Sequence, residues 1–239
     1  MKPGFVMKLL CPALTGIFVT CSALASMTIY PMAVNVSASG EGKTAVISKS
    51  RDVQFVKTDV SEIIHPATPL EKEVPVEMDA NALVVTPPKF ILPAGSSKRV
   101  RFIALNDSDT EKTYRVRFEA VSGEQDQSVT MTSNAENSHL SVNLIWGVLV
   151  SVPPKNPRFG LERSADGHSL VNTGNFRIRI NTIQQCQKGQ KESTCPMTQV
   201  NKNIYPGSQY PLAASMGTVR VSYTNWLTSE TSSVSFNGR

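Results

Sequence analysis

Leu140-Ser141-Val142-Asn143-Leu144-Ile145-Trp146-Gly147-Val148-Leu149-Val150 is the stretch on which the fold turns. Every even position from 140 to 150 is apolar, whereas the odd positions include Ser141, Asn143 and Gly147. Apolar side chains at every second residue mark a β-strand with one dry and one wet face, because successive Cβ atoms point to opposite sides of a sheet. Working outward, the runs 28–36, 44–47, 53–60, 83–86, 98–104 and 113–121 are rich in β-branched and aromatic residues and divided by Gly, Pro, Asn and Asp. Together with 140–152 they supply the strands of one immunoglobulin-like sandwich of about 125 residues.

Pro153-Pro154-Lys155-Asn156-Pro157 then interrupts any ladder, because proline has no backbone N–H and restricts the residue before it. We read it as a linker. Beyond it, runs at 158–163, 168–171, 176–184, 203–205, 217–226 and 232–236 predict a second, smaller sandwich. The expected organisation is all-β: a leader over 1–25, a first sandwich over 26–152 and a second over 153–239. The polar segment 122–138 is long for a hairpin loop.

The leader reading rests on Lys2 and Lys8, an uncharged and largely apolar run over 9–24, and the small-x-small triplet Ala23-Leu24-Ala25. An uncleaved anchor is the competing reading, disfavoured by Pro12 and by the change to strand-like residues at Met27. Removing the leader takes two lysines and no acidic residue, lowering the formal charge from +5 to +3, too mild an excess for a nucleic-acid binder. Cys11 and Cys21 leave with it. Cys186 and Cys195 remain, and an oxidising compartment would join them across a short polar loop. Such a staple contributes about 2 to 3 kcal/mol on the chain-entropy model.

Catalysis finds little support. His65, His139 and His168 are scattered through polar, turn-like stretches and form no metal-ligand spacing. The chain has no G-x-S-x-G, G-x-G-x-x-G, H-E-x-x-H or Walker loop, and no nucleophile is paired with a base. The long strand has two readings. Its even face packs into the protein's own core, or it is an edge strand whose apolar row is offered to a partner, an arrangement solitary proteins avoid because it invites aggregation. Trp146 fits either an inserted side chain or a core anchor.

Several motifs in order resemble the periplasmic pilus chaperones of the chaperone/usher pathway. They are Thr86-Pro87-Pro88, Leu92-Pro93-Ala94-Gly95, Lys98-Arg99-Val100-Arg101-Phe102 and Tyr114-Arg115-Val116-Arg117-Phe118-Glu119, followed by a long loop and the amphipathic strand. Leu170-Val171-Asn172-Thr173-Gly174-Asn175 is similar to that family's Asn-containing turn. The Tyr30-Pro31 start, Tyr114-Arg115 and the Cys186/Cys195 pair resemble the alternate branch that serves colonisation-factor-type fimbriae.

The resemblance implies two immunoglobulin-like domains set at an angle, with a pilin held in the cleft between them. It also implies donor-strand complementation, in which the chaperone lends a strand to an incomplete pilin. Leu140, Val142, Leu144 and Trp146 are then the lent side chains; a bulge would flip the phase and present Ile145 and Leu149 instead. Classical members anchor the pilin's terminal carboxylate with an Arg and a Lys, but the nearest positions here are Met32 and Val148. Arginine is the residue suited to a half-dry carboxylate. The strand beginning at Thr113, antiparallel to the lending strand, starts beside the cleft. Arg115 therefore becomes the candidate anchor, with Arg117 on the same face to share the role. Arg101 resembles a structural arginine of the family, paired with Asp109 or Glu111.

The implied function is a non-enzymatic periplasmic chaperone that folds fimbrial (pilin) proteins and delivers them to an outer-membrane usher, with no cofactor, metal or nucleic acid. The edge strand would also permit transient self-association. The alternatives are a secreted immunoglobulin-like pilus component or adhesin and, less consistent with three dispersed histidines, a sandwich enzyme of the copper/zinc dismutase type.

Overall fold

The computed structural model describes residues 26–76, 83–104, 108–121, 144–213 and 217–237; the proposed leader, Leu140 and Val142 lie outside them. The first half is two sheets face to face. One has the strand order β1 (Met27–Tyr30), β3 (Glu41–Ser48), β8 (Ser97–Ile103), β6 (Val84–Thr86). The other runs β2 (Ala33–Asn35), β10 (Ile145–Val152), β9 (Lys112–Val121), β4 (Gln54–Ile64), β5 (Lys72–Pro75), with β7 (Lys89–Leu92) paired to the start of β4. Alternation fixes which side chains meet between them. Met27, Val46, Val100 and Phe102 from the first sheet and Val116, Phe118, Val148 and Val150 from the second are fully buried in one cluster.

The run expected as one strand over 28–36 is divided. β1 pairs antiparallel with β3, and β2 crosses to the other sheet to pair parallel with β10. The crossing occurs at Pro31, which has no N–H to give a ladder, and its carbonyl accepts a 2.8 Å bond from the Thr44 hydroxyl. β5 and β7 add to the expected strands. β5 reads Lys-Glu-Val-Pro, too short and too charged to show alternation.

The second half contains a three-stranded sheet, β11 (Leu161–Arg163), β12 (Ser169–Asn172), β15 (Gln209–Pro211), and a four-stranded sheet, β14 (Met197–Ile204), β13 (Ile178–Gln185), β16 (Val219–Asn225), β17 (Glu230–Phe236). Leu161, Leu170, Ile178, Ile180, Ile183, Ile204, Val219 and Val221 form its separate core. Cys186 and Cys195 are disulfide-bonded, with Cα atoms 4.8 Å apart, and close the connection from β13 to β14. β14 begins well before the expected 203–205, because its first residues are exposed and polar and carry no apolar period.

A buried ion pair joins the two halves. Glu111, just before β9, meets Arg177, just before β13; their side chains are 1% and 10% exposed. The Arg177 guanidinium donates to Glu111 Oε1 and its backbone N–H to Oε2 at 2.7 Å, while the Trp226 indole N–H reaches Oε2 at 3.1 Å. Arg177 also donates to Asn35 Oδ1 at 2.7 Å and lies over the Trp226 ring, 4.2 Å from its centroid. Burial pushes the Glu111 carboxyl above the ordinary carboxylate range, against the opposing pull of Arg177.

Asn175 adds a second tie, donating from Nδ2 to the carbonyls of Asp109 and Asn156 at 2.7 and 2.8 Å. Its turn is held by Asn172, whose Nδ2 donates to the carbonyls of Phe176 and Ile204, both at 2.8 Å. Gly174 is required there: a Cβ would lie 2.4 Å from the Arg158 carbonyl oxygen. The expected partners of Arg101 are corrected by this arrangement. Glu111 and the carbonyl of Asp109 face the second half, and Arg101 pairs instead with Glu41 across β8 and β3, at 2.8 Å.

Removing one member of a buried pair leaves the other uncompensated, at a cost of about 3 to 5 kcal/mol. Arg177→Ala is therefore expected to lower the stability measured by urea unfolding by that amount, and to separate the melting of the two halves in calorimetry. A second expectation concerns pH. Burial, with the Glu62 charge, raises the Tyr114 phenol from 10.0 to about 12, so the folded state retains a proton that the unfolded chain releases. Stability should fall as pH rises from 10 towards 12, by about 2 kcal/mol, and Tyr114→Phe should flatten that part of the profile.

Candidate functional site

β10 lies at the sheet's edge along half its length. β9 pairs with all of it, from Ile145↔Glu119 to Val152↔Lys112, with no break in register. β2 covers the other side only from Leu149 to Ser151. Along Ile145–Val148, no described strand pairs the edge facing away from β9. Exposed main-chain N–H and C=O groups of this kind are a template for strand addition.

The unbroken register settles which side chains face inward within β10. Val148, Val150 and Val152 are buried in the first core, and Trp146 packs against it partly buried. The Trp146 indole N–H is buried without a hydrogen-bond partner. Ile145 is half exposed on the opposite face. Leu144, immediately before the strand, is 43% exposed, where the even row leaves the protein's own core. Both sequence readings of the strand thus apply, each to a different part: the C-terminal part is core, and Leu144 emerges from it.

Arg115 and Arg117 lie on the outward face of β9, opposite Leu149 and Gly147 of β10 and Ser61 and Asp59 of β4. A Cβ on Gly147 would lie 3.4 Å from Arg115 Cδ, so the arginine stem runs directly over that glycine. Both guanidiniums converge on Glu73 of β5, which sequence reasoning did not single out. Glu73 Oε1 is 2.7 Å from Arg115 Nε, and its Oε2 accepts a hydrogen bond from Arg117 Nη2. Arg117 Nη1 also reaches the Ser61 hydroxyl at 3.4 Å. Further along the same face, Lys57 pairs with Glu119 at 2.9 Å, and that carboxylate raises the ammonium above its ordinary value. The only sequence signal for Glu73 was its charge in a stretch without period; its place follows from the pairing of β5 with β4, Ile63 opposite Glu73.

The site therefore combines an open strand edge, an apolar row leaving the core and two arginines gathered on one carboxylate. No protein-family model matches the chain. Among curated proteins it is 34% identical over 192 residues to a CS1 fimbrial protein of Escherichia coli, covering 79% of this chain and 80% of that one. It is 33% identical over 191 residues to a CFA/I fimbrial protein of Escherichia coli, covering 79% and 80%. Among solved structures, the class 5 fimbriae chaperone CfaA superposes with a TM-score of 0.74 at 29% identity, over 89% of this chain and 99% of that one. The chain belongs to the fimbrial chaperones of the chaperone/usher pathway.

It also superposes on a chain from the chaperone–tip adhesin complex of CFA/I fimbriae, with a TM-score of 0.73 at 28% identity over 90% of this chain. The chaperone shares their two-sandwich fold across nearly all of its described length. Among the described residues, no three of His, Cys, Asp or Glu converge as metal ligands.

Whether Arg115 and Arg117 serve the fold or a partner can be measured. Ion pairs that remain about one-third exposed contribute only about 0 to 1 kcal/mol. Arg115→Ala and Arg117→Ala are expected to change urea-unfolding stability by less than about 1 kcal/mol, far below the effect of Arg177→Ala.

Proposed function

We propose that this chaperone captures exported pilins in the periplasm by lending them the strand that begins upstream of Leu144. The observation that carries this reading is the change of environment along β10, where one side-chain face runs from full burial at Val148 to 43% exposure at Leu144. A period of two keeps Leu140, Val142 and Leu144 on the face of Trp146 and Val148 if the strand continues upstream. Leu140, Val142 and Leu144 would then enter the pilin's core, and Trp146 would sit at the junction of the two cores. Four such side chains contribute on the order of 6 to 12 kcal/mol gross, before the costs of association. The unpaired edge of Ile145–Val148 supplies main-chain bonds that any pilin sequence can satisfy.

Arg115 and Arg117 anchor the pilin's terminal carboxylate. Their guanidiniums already hold a carboxylate, that of Glu73, which supports their fitness for the role. Export depends on the leader 1–25, and the linker at 153–157 divides the two domains. The loaded chaperone passes its pilin to an outer-membrane usher, with no catalytic step, cofactor, metal or nucleic acid. A structural pilus component is disfavoured because each sandwich already carries a closing strand, β10 in the first and β17 in the second.

Co-expression with the pilins encoded beside it, followed by purification from periplasm, tests the reading. The tagged chaperone is expected to retain one pilin per chain. Leu144→Glu should abolish retention, and Arg115→Ala or Arg117→Ala should reduce it at least tenfold, all three variants remaining folded. Retention indifferent to Leu144→Glu would overturn strand lending, and retention indifferent to both arginine changes would overturn the anchor.

A further inference from the structure

Two arginines side by side on one strand face repel each other and attract any available anion. Here a single internal carboxylate serves both, but unequally. Glu73 makes an aligned hydrogen bond to Arg117, whereas the contact to Arg115 is an ion pair at 2.7 Å in which the buried Nε–H is not aimed at an acceptor. We propose that Glu73 is a built-in stand-in for the client's terminal carboxylate, occupying the arginine pair in the free chaperone and displaced when a client arrives. The proposal rests on the anchor reading above and extends it to how the anchor selects its ligand.

The geometry favours displacement. A buried donor without an acceptor is destabilising, and a carboxylate approaching along the Arg115 Nε–H removes that cost where Glu73 does not. The cluster carries two positive charges against one negative, so an incoming carboxylate is still attracted while Glu73 is bound. Glu73 also stands on an element that can yield. β5 is a four-residue edge strand bonded to β4 on one side only, it ends in Pro75, and the turn before it holds His65 and Ala67 at positive φ. Short edge elements with few main-chain bonds open at the lowest free-energy cost.

The functional consequence is selectivity. A free carboxylate in solution must compete with one tethered nearby, whose effective concentration is high. A client's C-terminus is itself tethered by the strand added along β10, so it competes on equal terms. Glu73 thereby keeps the anchor closed to small carboxylates and open to one delivered at the end of a strand.

Sodium acetate, a carboxylate with no strand attached, is the probe. It is titrated into the nitrogen-15-labelled purified chain while the Arg115 and Arg117 Nε–Hε resonances are followed. Glu73→Gln is expected to bind acetate at least tenfold more tightly than wild type, with the Arg115 Nε–Hε signal shifting downfield. Glu73→Ala should show the same gain, Glu73→Asp little of it, and Arg115→Ala in the Glu73→Gln background should lose it. Circular dichroism checks that each variant is folded. Acetate binding that is unchanged or weaker in folded Glu73→Gln and Glu73→Ala overturns the stand-in and makes Glu73 a positioning residue. That failure is distinct from failure of the anchor itself, which would show as pilin retention indifferent to Arg115→Ala and Arg117→Ala.

Discussion

A β-strand cannot choose its faces residue by residue, and β10 is bound by that rule. Once Val148 and Val150 are committed to the core, every second residue upstream is committed to the same side for as long as the strand runs straight. The sandwich provides core for that side only as far as Trp146. An apolar residue beyond that point has no place within its own domain, and Leu144 is the first to emerge. The apolar row is therefore the continuation of the protein's core into space that another molecule must fill. The split of the first strand at Pro31 serves the same end, since an uninterrupted strand pairing with β10 along its whole length would cover the edge.

The sequence made this strand legible because period-two alternation is a local signal and survives without knowledge of the neighbours. The same holds for β3, β4, β8 and β9, whose expected runs overlap the observed strands. β5 and the first part of β14 were not legible, because edge strands facing water need no apolar period, and what makes them strands is the neighbour they bond. Side-chain pairings were legible only in kind. The need for arginines near a carboxylate could be argued from chemistry, but not that Glu73 would come from a strand the sequence does not announce. Arg101 shows the converse: its partner Glu41 is a cross-strand neighbour sixty positions away, visible only once β3 and β8 are paired.

The Glu111–Arg177 pair belongs to a different class of interaction. Burying both charges is expensive, and such a pair adds little net stability over an apolar contact of the same shape. Its value lies in geometry. Glu111 accepts from the Arg177 backbone, the Arg177 side chain and the Trp226 indole, while Arg177 reaches back to Asn35, so only one docking of the two sandwiches satisfies every group. Because Glu111 leads directly into β9, that docking also fixes where Arg115 and Arg117 stand relative to the second sandwich. Conformational definition at the junction is thus transmitted to the anchor through a single rigid strand.

The parallel pairing of β2 with β10 carries a consequence of a different kind. The Leu149 N–H is already given to the Met32 carbonyl at 2.9 Å, and β2 fills the edge from there to Ser151. A strand laid along the open edge can advance through Ile145–Val148, about 14 Å at the usual rise per residue, and no further. The short crossing strand acts as a depth stop: the length of edge it leaves free, rather than any feature of the guest, determines how far a guest strand can slide.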